Sequence, residues 1–236
     1  MRPAMSEHNP FLTQPELSAI KGLVHGFSTR DLTGETLGRH PLLEGFRPVV
    51  MRQVHSDIIH VVEEIPAETL VGDALITRTP GILICVRTAD CLPILVADRE
   101  SGISAAVHCG WKGTSQRLAS KVISFLKENF HCRPGSLLAV LGPSIGRDCY
   151  EVGEDVAGEF GDCGETGGSF FTPLRSGKYL LDLKRANRIQ LEEAGVPPGR
   201  IFSLDICTHC DPRFFSYRRD KSECGRLINF IGRSSV

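Results

Sequence analysis

The stretch GILICVRTADCLPILVAD, residues 81–98, decides how this sequence is read. Residues 82–86 and 92–97 are short, β-branched, apolar runs bounded by Gly, Asp or Pro, and each reads as a strand. Arg87 and Asp90 interrupt them, so no segment approaches the ~20 consecutive apolar residues of a membrane span. The same signal recurs outward along the chain at 49–54, 58–62, 74–77, 104–108 and 137–142. Helical spacing appears at 116–130 (Leu118, Val122, Ile123, Phe125, Leu126, Phe130) and at 180–194 (Leu180, Leu183, Ala186, Asn187, Ile189, Leu191). The second of these is stopped by Gly195 and the Pro197-Pro198 pair, and a shorter helix is expected over 154–160. Strands that cluster instead of alternating with helices predict an α+β fold, mixed β-sheets layered with flanking helices. No G-x-G-x-x-G follows a strand and no Walker spacing occurs, which excludes the usual dinucleotide and P-loop sites.

The chain has 236 residues, a length that predicts one domain over 1–236, with residues 1–15 loose and a Gly-rich loop at 161–168. Folding such a chain buries about 70% of its extended surface, enough for a core without staples. Lys and Arg number 27 against 28 Asp and Glu, for a net charge of −1, so the broad basic field of a nucleic-acid binder is absent. Nine cysteines, an odd number scattered through a long chain, read as reduced thiols in a cytoplasmic protein. Neither a nucleic-acid nor a membrane partner is expected, and the sequence is silent on oligomeric state.

Polar residues at the ends of apolar strands carry the chemistry. His55 in RQVHSD, Cys91 in RTADCLP and His108 in AAVHCGW are two imidazoles and a thiol, a competent set for Zn²⁺ with a fourth position left for water or substrate. Their separations match no local zinc motif, and a satisfied core histidine or buried cysteine is the plain alternative for each. Cys91 with His108 can also serve as nucleophile and base, although no helix N-terminus is evident beside the thiol. The turn His108-Cys109-Gly110-Trp111-Lys112-Gly113-Thr114 can hold an anion on its N–H groups, with Lys112 adding charge, or be an ordinary β–α connection. Cys207-Thr208-His209-Cys210 packs soft ligands into four residues but lacks a partner cluster in sequence. Phe214-Phe215-Ser216-Tyr217-Arg218-Arg219-Asp220 interleaves aromatics and guanidinium groups suited to a base or a phosphate, or to a structural ion-pair strand.

In this order, HGFSTR (25–30), QVH (53–55), Asp73-Ala74, TADCLP (88–93), His108-x-Gly-Trp-x-Gly, LGPSI (141–145), CYEVG (149–153), Leu181-Asp182-Leu183 and residues 214–220 resemble the YfiH family. That family carries two labels, laccase-like multicopper polyphenol oxidase and zinc-dependent purine nucleoside phosphorylase. The resemblance runs from about residue 24 to the C-terminus. It implies a metal site of His55, Cys91 and His108 and an architecture similar to cysteine-hydrolase-like bacterial toxins. Against the family pattern, residues 31–48 are abbreviated, Cys109 stands for Ala, Lys112 for Arg, and Ser222-Glu223-Cys224-Gly225-Arg226 replaces a Thr-Gly-Arg ending; His209 and Cys210 have no assigned place. Lys at 112 keeps the charge but loses bidentate anion binding.

Ligand counting bears on the first label. The chain has eight histidines, at 8, 25, 40, 55, 60, 108, 131 and 209, with no H-x-H pair, too few for an electron-transfer copper plus a copper cluster. A single His₂Cys site can still take copper in place of zinc. Phosphorolysis of adenosine, inosine or methylthioadenosine to free base and ribose 1-phosphate asks less of the residues. Lys112, Arg218 or Arg219 would hold phosphate, and Trp111 or Phe215 would stack on the purine. Adenosine deamination would use Asp90 as the proton carrier. A cysteine or zinc amide hydrolase acting on peptidoglycan precursors is the alternative that the fold resemblance suggests, followed by a copper-dependent oxidase and a zinc-stabilised binding module.

Overall fold

The computed structural model describes residues 10–161 and 170–235. In chain order its principal elements are β1 (Phe11–Leu12), α1 (Pro15–Ser18), β2 (Leu23–Ser28), α2 (Gly34–Leu37), β3 (Arg47–Val50), β4 (Ile59–Val61), β5 (Ala74–Thr77), β6 (Ile82–Thr88), β7 (Leu92–Asp98) and β8 (Ser104–Cys109). There follow α3 (Trp111–Ser115), α4 (Leu118–Phe130), β9 (Leu137–Leu141), β10 (Glu151–Gly153), α5 (Glu154–Gly158), β11 (Phe171–Pro173), β12 (Lys178–Leu181), α6 (Leu183–Glu193), β13 (Ile201–Ser203), α7 (Tyr217–Asp220) and β14 (Leu227–Arg233). This is the expected α+β class. A five-stranded sheet runs β1-β2-β14-β6-β3, a six-stranded sheet runs β13-β9-β7-β8-β5-β4, and a small sheet runs β10-β12-β11. Both large sheets are mixed: β3 is parallel to β6 and β13 to β9, while β14 pairs β2 and β6 antiparallel.

The two large sheets face one another, and the period-2 alternation of their strands sorts side chains into layers. Ile82, Ile84 and Val86 of β6 point into the inter-sheet core with Leu95, Ala97, Ala106, Val140, Phe27 and Ile231. On the outer side, Leu83 and Cys85 join Phe230, Ile228 and Leu37. Ile94, Val96 and Val107 instead face Leu118, Val122, Ile123 and Leu126 of α4, with Leu183, Ala186 and Leu191 of α6 packed on the same cluster. Strands covered on both faces have no polar side to show, which explains why 82–86 and 92–97 read as continuous apolar runs.

The opening stretch thus divides between sheets: β6 lies in the five-stranded sheet and β7 in the six-stranded one. The crossing, Ala89 to Cys91, requires a left-handed residue, and Asp90 supplies it at φ 87°. Asp is among the few L-residues that visit this region at modest cost.

Several boundaries differ from expectation. The strand expected at 49–54 is β3, Arg47–Val50, after which the chain leaves the sheet to carry His55. The helix expected at 116–130 begins at Leu118 because Arg117 sits at φ 62°, separating it from α3. The helix expected at 180–194 begins at Leu183: Leu180 and Leu181 pair in β12, and Asp182 caps the helix by accepting the Arg185 N–H at 2.9 Å. The helix expected at 154–160 ends at Gly158. Of the loop expected at 161–168, all but Gly161 lies outside the described residues, as do residues 1–9 of the segment expected to be loose. Among the described residues, no helix is long and apolar enough to cross a membrane.

Candidate metal centre

Three chain segments deliver His55, Cys91 and His108 to one place. His108 is on β8, Cys91 immediately precedes β7, and register pairing of Leu92 with Cys109 sets those two segments side by side. His55 arrives on the loop between β3 and β4, itself left-handed at φ 60°. One ligand atom from each of the three lies within 4.8 Å of the others. His55 Nε2 is 3.9 Å from Cys91 Sγ, and the two imidazole rings meet edge to face with centroids 5.0 Å apart.

Asp73 organises this arrangement, and the sequence reading assigned it no role. Its carboxylate is fully buried and accepts five hydrogen bonds. Oδ1 takes His108 Nδ1 at 2.8 Å and the His55 N–H at 3.1 Å. Oδ2 takes the N–H groups of Val54 (3.2 Å) and Ser56 (2.6 Å) and the Ser56 hydroxyl (2.8 Å). The bond to Nδ1 fixes the His108 tautomer and leaves Nε2 as the nitrogen on offer, the carboxylate–histidine arrangement found behind metal-ligating imidazoles. The main-chain bonds stabilise the strained loop that carries His55.

The electrostatics follow from these contacts. Burial raises the Asp73 carboxyl, but hydrogen bonds from His108 and Ser56 outweigh it and bring it down to about 2. Burial likewise raises the Cys91 thiol, and the neighbouring His108 and His55 more than offset this, lowering it to about 6. His108 is the complement: burial lowers it, while Cys91 and Asp73 raise it to about 9. Without a cation these contacts favour the thiolate at Cys91 and the protonated imidazole at His108. The donor set of two imidazoles and one thiolate fits a zinc or copper ion.

A cavity of about 300 Å³ opens on this cluster, lined by His55, Asp90, Cys91, Trp111, Tyr150, Tyr217, Arg218 and Lys221 together with Ala89, Ile145 and Leu183. Trp111 and Arg218, named from sequence, are in its wall, and the Arg218 guanidinium stacks 5.3 Å over Tyr150. Asp90 is there too, but its carboxylate is occupied by the Thr208 hydroxyl at 2.7 Å and the Arg218 N–H at 2.6 Å. Lys112 is not among the lining residues; its ammonium sits 5.4 Å over the Trp111 ring. Phe215 packs under Arg30, 4.9 Å from its centroid. Arg219 spends its guanidinium on the carbonyls of Thr208, His209 and Phe214 and on Asp220. Phe215 and Arg219, expected at the ligand, lie outside the lining of this cavity.

Tyr150, Tyr217 and Lys221 were missed. Tyr150 and Tyr217 had a signal, as aromatics inside the CYEVG and 214–220 segments, whereas Lys221 reaches the wall because α7, which precedes it, docks beside Asp90. A helix N-terminus was also missed: Gly110, the N-cap of α3, lies so close that a Cβ there would be 3.0 Å from both Cys91 Sγ and His55 Cδ2.

Known proteins share this sequence and fold. A family model described as multi-copper polyphenol oxidoreductase laccase matches residues 36–234. A protein of Deinococcus radiodurans named purine nucleoside phosphorylase is 41% identical over 182 residues, covering 77% of this chain and 68% of its own length. One from an unknown prokaryotic organism, named adenosine deaminase RL5, is 38% identical over 200 residues, covering 78% of this chain and 74% of its own. The crystal structure of the Bacillus licheniformis hypothetical protein YfiH superposes with a TM-score of 0.85 at 26% identity, over 96% of this chain and 98% of that one. With the fold, the motif order and most of the chain matched, this protein belongs to the laccase-like YfiH family.

Proposed function

We propose that this chain is a zinc-dependent purine nucleoside phosphorylase whose metal is held by His55, Cys91 and His108. The observation that carries this reading is the composition of the cavity at the cluster: among the described residues it offers aromatic faces, two cationic side chains and no disengaged carboxylate. Trp111, Tyr150 and Tyr217 offer π-faces to a purine. Arg218 gives one N–H to the Glu151 carbonyl at 3.1 Å and keeps others for an anion, with Lys221 nearby. A zinc ion in the cluster supplies a fixed, Lewis-acidic positive charge beside the substrate. In this reaction phosphate oxygen bonds to the ribose anomeric carbon as the bond to the base nitrogen breaks, and the departing base takes up a proton. Arg218 and Lys221 orient the phosphate, the aromatic wall holds the leaving base, and Asp90 positions Arg218 through its main-chain N–H.

The relatives' names support a purine substrate for the proposal. Adenosine deamination, the activity in one of those names, calls for a carboxylate that moves protons. Among the described residues, Asp90 is the only acid in the wall, and both its oxygens are engaged, which favours phosphorolysis. A full multicopper set does not fit the donors. His25 accepts the Gln14 N–H in the core, His40 packs on Phe11 and His60 bonds the Val71 carbonyl, all apart from the cluster. One observation favours a second reading: Cys91, His108 and Asp73 stand in nucleophile–base–orienter order, as in an amide-cleaving cysteine hydrolase.

Incubating inosine and adenosine with metal-quantified protein, with and without phosphate, separates these. Phosphate-dependent free base and ribose 1-phosphate, lost in His108→Ala, is the expected result. Phosphate-independent inosine from adenosine would replace the proposal with deamination. Nucleosides left intact by fully zinc-loaded protein, with amide hydrolysis that survives chelation, would replace it with the cysteine hydrolase.

A further inference from the structure

A second group of sulfur atoms lies behind the cavity wall, and the chemistry above makes no use of it. Cys149, Cys207 and Cys210 each present a sulfur within 4.8 Å of the others, with Cys149 Sγ 3.3 Å from Cys210 Sγ. A tetrahedral ion with metal–sulfur bonds of about 2.3 Å holds its sulfurs about 3.8 Å apart, so shifts below about one ångström would complete such a site here. The partner that Cys207-Thr208-His209-Cys210 lacked in sequence is thus supplied by a turn 61 residues earlier.

The environment of Cys207 points the same way. The Gly146 N–H donates to its sulfur at 3.1 Å. A main-chain N–H held on a sulfur is the outer-shell contact that orients a metal-ligating cysteine. Glycine at 146 eases this approach, since a Cβ there would be a tight 3.2 Å from Cys207 Cβ and Sγ. A disulfide between Cys149 and Cys210 would leave unused the sulfur that the Gly146 N–H addresses.

We propose that Cys149, Cys207 and Cys210 form a second metal site, a three-thiolate site for a thiophilic d¹⁰ ion, Zn²⁺ or Cu⁺, with an open position on the solvent side where Cys210 is exposed. Each thiol that binds releases its proton to solvent as its sulfur–metal bond forms, and no electrons are exchanged. The ion would tie the turn ending at Tyr150, in the cavity wall, to the turn carrying Thr208, which holds Asp90. It acts as a staple for the wall and does not depend on which reaction the cavity performs.

Titrating the reduced, metal-free full chain with Cd²⁺ tests this, following thiolate-to-metal charge-transfer absorption and bound metal by native mass spectrometry. The His55→Ala/Cys91→Ser double variant, which disables the first cluster, is expected to retain one equivalent with the absorption of three thiolates. Adding Cys210→Ser, at an exposed position that leaves packing intact, is expected to remove about a third of that intensity and weaken binding, as one of three sulfur ligands is lost. The proposal is overturned if the double variant, folded by circular dichroism, takes up no Cd²⁺, or if Cys210→Ser changes neither absorption nor stoichiometry. A Cys149–Cys210 disulfide in metal-free protein that resists mild reductant overturns it equally.

Discussion

Asp73→Asn puts the organising role of the buried carboxylate to a quantitative test. The substitution preserves shape but replaces one acceptor oxygen with an NH₂ donor. If the new oxygen takes the Oδ1 position, the NH₂ faces the Val54 and Ser56 N–H groups and leaves both unpaired, while the Ser56 hydroxyl can turn to accept from it. The opposite orientation is cheaper: only the His55 N–H loses its acceptor, while the NH₂ donates to His108 Nδ1. One orphaned donor costs about 1–3 kcal/mol of stability in the metal-free protein. The donation to Nδ1 also forces the proton onto Nε2, the nitrogen a metal would need. Loss of an outer-shell partner typically weakens metal affinity by about 10- to 100-fold, and this tautomer change places the variant at the upper end. Urea denaturation of metal-free protein reads the first effect, and zinc competition against a chromophoric chelator reads the second. Wild-type zinc affinity in a variant with the expected stability loss would refute the tautomer argument, and unchanged stability would refute the hydrogen-bond accounting.

Gly110→Ala should abolish or sharply weaken metal uptake at the His55, Cys91 and His108 cluster with little effect on the fold. Its backbone, at φ −73°, suits alanine, but the methyl group would press to 3.0 Å on Cys91 Sγ and His55 Cδ2; equal zinc occupancy in the two proteins would contradict this. Thr208→Val removes the 2.7 Å bond to the buried Asp90 carboxylate and should cost about 1.5–3 kcal/mol, the range for hydrogen bonds to charged groups, in urea denaturation. For acid stability, burial holds His25 down to about 4 from 6.5. Between those values the unfolded chain binds a proton that the folded one refuses, so stability is full above about pH 6.5 and falls by about 3 kcal/mol as pH drops through 4. Urea midpoints across that window should decline in wild type and flatten in His25→Gln; parallel declines would remove His25 from the account.

The strand runs were legible because sheets covered on both sides demand unbroken apolar segments, and the expected strand at 74–77 coincides with β5. Helix starts were less legible where periodicity alone was followed. Leu180 and Leu181 fit a helical stripe and also fit β12, and only the capping signal of Asp182 separates the two. Among site residues, chemistry at a strand end marked His55, Cys91 and His108. An acid just before a strand did not mark Asp73, since its role lies in contacts with residues 17 to 35 positions away.

The residue types available for chemistry, the apolar strand segments and the α+β class are properties of local composition and spacing, and one chain suffices to read them. Which sheet each strand joins is not local. Residues 82–86 and 92–97 look alike, yet a single left-handed turn at Asp90 sends them into different sheets, and that crossing carries Cys91 to His55 and His108. The pairing of Cys149 with Cys207 and Cys210, the burial of Asp73 and the docking of Tyr217 beside Asp90 likewise depend on long-range packing. Those proximities are set when the sheets and helices close over a shared core, and no periodicity along the chain encodes them.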